Sequence, residues 1–235
     1  MKILCFDLDD TLIDDNYKFE LTFCDCIKTI LIAFETRPPQ IDEVLTLARK
    51  IDNERLISLP VKERYQPTRL EGTWILTYEK LCEEYKIKAK PHVKEILRGL
   101  VKQNFDPPYF LIPGVVETLN ILKQLNFEMH VITTGNLNVQ TRKLDETGLI
   151  KFFNEIHIVE DGDKSKILKP FATKEGKDNV VMIGNSIRSD INAALKVGVK
   201  AVHIPRGSWH QFVAEPINDK YTEIENMSQL ISIVS

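Results

Sequence analysis

No stretch of this 235-residue chain approaches twenty consecutive apolar residues. A helix needs about that many to cross a hydrocarbon core, so no membrane-spanning helix is expected and no membrane partner is assigned. A basic excess is also missing. The formal net charge is -3, whereas general nucleic-acid binders carry an excess of positive charge, so nucleic acid is not expected as a partner. Cysteine is scarce and poorly spaced for metal chemistry: Cys5, Cys24, Cys26 and Cys82 form no zinc-type pattern. The Cys24-x-Cys26 pair reads as two helix positions on different faces. The five histidines show no metal-pair spacing and are assigned core or surface roles. Internal repeats and low-complexity tracts are absent. At the N-terminus Asp7 interrupts the apolar run before a signal-peptide core can form. A reducing, cytoplasmic setting is therefore expected.

What remains is ordinary globular texture, 43% hydrophobic and 28% charged, in a chain long enough for one domain with a substantial insertion. One segment breaks that texture. "FDLDDTL" at 6–12 places Asp7, Asp9 and Asp10 directly after the apolar run Ile3-Leu4-Cys5. Ionised carboxylates this close repel one another, and burying them costs several kcal/mol each unless a positive charge compensates. Either they face solvent from a turn or they share a cation.

The apolar pattern supplies the organisation. Spacings of three and four predict helices over 16–35, from Ile41 to Ile51, from Trp74 to Tyr85 and from His92 to Val101. The proline-bearing stretch 58–71 is expected to be a loop. "DPPYFLIPG" at 106–114 closes this block. Beyond it short apolar strands ("EMHVITT", "EIHIVE", "NVVMIG", "KAVHIP") alternate with helical segments. That alternation predicts an α/β fold with a Rossmann-like parallel sheet core. The boundaries expected are 1–14 and 113–235 for the α/β core, and 15–112 for an inserted all-helical cap domain.

In parallel sheets ligands gather at the carboxyl ends of strands, near the point where strand order reverses. Here those ends read Asp7-Leu8-Asp9-Asp10-Thr11, then Thr133-Thr134-Gly135-Asn136, then Gly184-Asn185-Ser186 with Asp190 one turn on. Carboxylates, hydroxyls, amides and flexible glycines along one edge suit a hard cation and an anionic group. Magnesium prefers such oxygen ligands and commonly takes one or two carboxylates together with a substrate phosphate. The acidic run Glu160-Asp161-Gly162-Asp163 lacks the remaining calcium-loop ligands and reads as a solvated loop.

"DLDDT" (7–11), "VITTG" (131–135), a lysine in "DGDKSK" (161–166) and "IGNSIRSD" (183–190) resemble, in order, the four motifs of the haloacid-dehalogenase-like hydrolases. The helical block between the first two is similar to a cap of that superfamily. The resemblance implies a magnesium-dependent phosphatase acting on a small phosphorylated metabolite through an aspartyl-phosphate. Asp7 would be the nucleophile, and Asp9 the general acid and then base. Thr11 would fix the loop; Thr133, Thr134 and Gly135 would hold phosphate oxygens. Lys164 would offset phosphoryl charge. Magnesium would sit on Asp7, the Asp9 carbonyl, Asn185 and Asp190.

Two assignments need chain-length and charge arguments. Lys169-Pro170 looks like the family's lysine–proline pair, but too little chain separates it from the strand near Val180 for a helix to fit. Lys164 is preferred, with Lys166 next. Asn185 departs from the family, many members of which carry an acid there. Its amide oxygen can still ligate magnesium, directly or through water, but without charge.

Other functions on this core are a phosphomutase, dehalogenation, phosphonate cleavage and a non-catalytic ligand-binding protein. Asp9 argues against dehalogenation, which has no alkoxide to protonate. Phosphonate cleavage would use a cap lysine, and nothing singles out Lys62, Lys80 or Lys86. A binding module would tolerate loss of Asp7 or Asp9, and both are present. Arg69, Trp74 and Tyr78 in the cap are candidates to touch a substrate, or equally ordinary packing residues.

Overall fold

A computed structural model of the chain describes residues 2–207 and 214–234; His210, one of the five histidines, lies outside them. Two compact units emerge, one of Met1–Asn16 with Pro107–Ser235, the other Tyr17–Asp106. The second boundary falls earlier than the sequence pattern places it. Ile13 bridges Leu111 antiparallel, Asp14 N–H donates to the Phe110 carbonyl at 2.8 Å, and Ile112 N–H to that of Leu12 at 3.0 Å. The proline-rich stretch after 106 therefore belongs with the α/β unit.

Strand β1 (Ile3–Phe6) is followed by α1 (Asn16–Ala33), α2 (Ile41–Ser58), α3 (Pro67–Glu84) and α4 (Pro91–Asn104). Helix α3 starts inside the stretch expected to be a loop. Pro67 stands in its first turn, where a missing N–H costs nothing and the fixed φ suits the helix. Trp74 and Tyr78 are fully buried. Trp74 meets the Phe23 ring at 5.1 Å between centroids, and the Tyr78 hydroxyl accepts from Lys90 N–H at 3.0 Å. Arg69 pairs with Asp52. These three cap candidates serve the packing of the helical unit itself.

The α/β unit continues with α5 (Val115–Gln124), β2 (Glu128–Thr134), α6 (Leu137–Glu146), β3 (Glu155–Val159) and α7 (Ser165–Glu175). Then come β4 (Val180–Gly184), α8 (Asn192–Val197), β5 (Lys200–His203), β6 (Thr222–Glu223) and α9 (Leu230–Val234). Among the described residues the strands form one parallel sheet in the order β3-β2-β1-β4-β5-β6. The last strand and α9 are too short to announce themselves by period.

Alternation explains why β1 is apolar throughout. Leu4 and Phe6 join the cluster containing Val115, Leu119 and Leu230, while Ile3 and Cys5 join that of Leu168, Ala172 and Ala194. A strand covered on both faces has no polar side to spare. From β1 the chain winds one way to β2 and β3 and the other way to β4, β5 and β6. The reversal lies between β1 and β4, where Asp7 follows. No helix among the described residues is long and apolar enough to cross a membrane.

Candidate active site

The three crowded carboxylates part company as soon as β1 ends. Asp7 stays on the sheet line, its N–H donating to the Ile183 carbonyl at 2.9 Å, and its side chain is buried against Lys164. Asp9 turns to α6. Asp10 takes a left-handed φ of 58°, a region that Asp tolerates better than most residues. Its Oδ1 accepts the Asp15 and Asn16 N–H groups at 3.1 and 2.7 Å, placing an acceptor at the start of α1 where donors are unpaired.

Lys164, immediately before α7, is buried and donates to Asp7 Oδ1 and, at 2.7 Å, to Asp190 Oδ1. Lys166 points away and pairs with Asp161, and Lys169 is exposed. Asp190 Oδ2 accepts the Ser186 N–H at 2.9 Å. A Cβ at Gly184 would lie 2.3 Å from that oxygen, so a glycine before Asn185 is what lets Asp190 close over the end of β4. Burial, and then the charges of Asp190 and Asp9, push Asp7 up to about 7 against the opposing pull of Lys164. Burial works to lower the Lys164 ammonium, yet Asp190 and Asp7 hold it above its usual value.

Thr11 donates to Asp7 Oδ2 at 3.2 Å and reaches Asn185 Oδ1 at 3.5 Å. Asn185 Nδ2 donates to the Arg206 carbonyl at 3.3 Å, with the amide oxygen on the side of Thr11. At the end of β2, Thr133 Oγ1 accepts from Gln140 Nε2 at 2.7 Å, leaving its own proton to give. The Thr134 hydroxyl is buried without a hydrogen-bond partner in the described structure. Gly135 has φ 156°, and a Cβ there would meet Gln140 side-chain carbons at 3.0 Å.

This geometry joins three strand ends, those of β1, β2 and β4, with the lysine before α7. A family description for haloacid dehalogenase-like hydrolases matches residues 1–198. The chain belongs to that family. Among curated relatives of this haloacid dehalogenase-like hydrolase, a glyceraldehyde 3-phosphate phosphatase of Pyrococcus abyssi is 25% identical over 247 residues. That match covers all of this chain and 94% of the relative. One of the same name from Methanopyrus kandleri is 29% identical over 163 residues, covering 63% of this chain and 68% of the relative. A haloacid dehalogenase-like family hydrolase from Xanthomonas campestris shares the fold with a TM-score of 0.74 at 20% identity, covering all of this chain and 94% of the other. The HAD-hydrolase YfnB of Bacillus subtilis, solved bound to magnesium, follows at 0.63 and 19%, covering all of this chain and 98% of the other.

Two residues of this haloacid dehalogenase-like hydrolase escaped the sequence reading. Gln140 donates to Asp9 Oδ2 at 2.9 Å, and Lys143 to Asp9 Oδ1 at 2.7 Å. Lys143 also pairs with Asp15 at 3.0 Å, and it is held above its ordinary value by Asp15 and Asp9 although burial opposes this. A signal existed: on α6 the buried positions are Gln140, Lys143 and Leu144, so an amide and an ammonium occupy the phase of the helix reserved for apolar residues.

The donor set suits magnesium. Asp7, Asp190 and the Asn185 amide offer hard oxygens, and the two buried carboxylates share a single lysine, Lys164.

Proposed function

We propose that this hydrolase is a magnesium-dependent phosphatase that cleaves a small phosphorylated metabolite through an aspartyl-phosphate on Asp7. The observation that carries the reading is the separate holding of the two acids. Asp7 is paired with Lys164, while Asp9 is held by Gln140 and Lys143 with its side chain 30% exposed. One carboxylate is set to attack and a second is left accessible to move a proton. Glyceraldehyde 3-phosphate phosphatases among the relatives make that triose phosphate the first substrate to test.

Asp7 forms a bond to phosphorus as the bond to the leaving oxygen breaks, and Asp9 gives that oxygen its proton. Asp9 then takes a proton from the water that attacks phosphorus, releasing phosphate and restoring both acids. The Thr133 and Thr134 hydroxyls and the Gly135 amide orient phosphoryl oxygens, and Lys164 balances their charge. Asp7, the Asp9 carbonyl, Asn185 and Asp190 would hold magnesium, which supplies charge neutralisation of the transferring group when bound.

Released phosphate, measured across sugar, triose, nucleotide and small-acid phosphates with magnesium, tests the reading. Asp7→Asn is expected to lose several orders of magnitude while retaining the wild-type circular dichroism. Near wild-type release from the folded variant would sink the aspartyl-phosphate route.

A further inference from the structure

A second cluster of ligating side chains lies on the same sheet, three residues before the catalytic end of β2. His130 on β2 pairs in register with Glu155 on β3, and Ile132 with His157. Positions two apart on a strand share a face, so His130, Glu155 and His157 project from one side of the sheet. Their ligand atoms all lie within 4.8 Å of one another. Strand β3 is the sheet's edge.

One nitrogen of each ring is buried and lacks a hydrogen-bond partner. Glu128 Oε1 lies 3.0 Å from His130 Nε2. A carboxylate only accepts, so the proton belongs on Nε2 and Nδ1 carries a bare lone pair. His130 is 1% exposed, and its Nδ1 has no hydrogen-bond partner. It faces Glu155 Oε2 at 3.9 Å. His157 Nε2 lies 3.3 Å from the same oxygen and is likewise buried without a hydrogen bond. Two buried ring nitrogens that face one carboxylate without a hydrogen bond form a costly arrangement.

We propose that His130 Nδ1, His157 Nε2 and the Glu155 carboxylate bind a divalent transition-metal ion of the zinc class, tying edge strand β3 to β2. Two imidazoles and one carboxylate suit zinc better than magnesium, which favours all-oxygen sites. Zinc holds such ligands at roughly 2.0–2.2 Å, so tetrahedral partners stand about 3.3 Å apart. The Glu155–His157 pair is already there, and the exposed Glu155 side chain can rotate to close on His130. Glu128 supplies the outer carboxylate that commonly orients a metal-bound histidine. The Phe171 ring packs on both imidazoles, at 4.6 and 5.7 Å between centroids, and keeps that side dry. The role is structural and separate from phosphate chemistry.

Zinc alone is the probe. Chelator-treated full-length protein, held in excess magnesium to occupy the catalytic carboxylates, is titrated with Zn2+ against a chromophoric chelator. One equivalent is expected to bind and to raise the melting temperature. His157→Gln and Glu155→Gln, both at the sheet edge, should each weaken binding at least tenfold and abolish the thermal shift, with phosphate release unchanged. Glu128→Gln should weaken it by roughly 10- to 100-fold. Cobalt in place of zinc should give visible absorption bands that His157→Gln removes. Failure of wild-type protein to bind zinc overturns the proposal. So does binding that survives His157→Gln and Glu155→Gln but disappears in Asp7→Asn, since that locates the ion at the catalytic carboxylates.

Discussion

Both oxygens of Asp9 are held by α6, Oδ1 by Lys143 and Oδ2 by Gln140. As general acid, Asp9 should matter in proportion to how much the leaving oxygen needs a proton. On the proposed mechanism Asp9→Asn should slow alkoxide-leaving substrates by ~10²–10⁴-fold, and p-nitrophenyl phosphate far less. Equal losses on both would contradict the acid role. Asn185→Asp tests the metal shell. It adds an anionic ligand to a hard-cation site and should lower the magnesium concentration needed for half activity. It also replaces the N–H that Arg206 accepts from, so the metal-free variant should melt lower, by an amount corresponding to about 1 kcal/mol. An unchanged magnesium requirement would remove Asn185 from the metal shell.

At the scale of elements, helix α6 carries the more surprising chemistry. Lys143 is fully surrounded and paired with Asp9 and Asp15, and Asp15 is itself pushed up to about 6 by burial, with Lys143 opposing. Truncating one member of a buried charged group strands the others. Lys143→Met should therefore cost about 3–5 kcal/mol in denaturant unfolding, and Lys143→Arg less. This helix also marks how far the sequence could be read. The α/β order was legible, because the period of each short strand and helix constrains it locally. Gln140 and Lys143 were not, since a polar residue in the apolar phase of a helix has meaning only once its partner across the sheet is known. The start of α3 was misjudged because Pro67 reads as a breaker until its place in the first turn is seen. His130 and His157 lie on separate strands, so spacing along the chain says nothing of their proximity.

For the molecule as a whole, the point where the chain leaves and re-enters the α/β unit is a single narrow place. Asp14 and Phe110 are joined by a 2.8 Å backbone hydrogen bond, so a short glycine-rich turn from Asn16 to Pro107 can replace Tyr17–Asp106 and keep the Asp15–Lys143 pair. Such a deletion variant should still unfold cooperatively, because insertions at adjacent chain ends leave a domain's own core intact. Loss of a cooperative melt would show that the α/β unit depends on the helices.

The central position of β1 also sets an order of events during synthesis. Its partners begin at Glu128 on one side and Val180 on the other, and both are made after the helical insert. While that insert leaves the ribosome, β1 has neither neighbour and must stay unpaired with its apolar side chains uncovered. The four local helices can condense first, since their contacts are near in sequence and quick to form. The sheet then closes around its oldest strand. The nascent chain is therefore most prone to aggregate, or to need a chaperone, in the interval between the end of α4 and the appearance of β4.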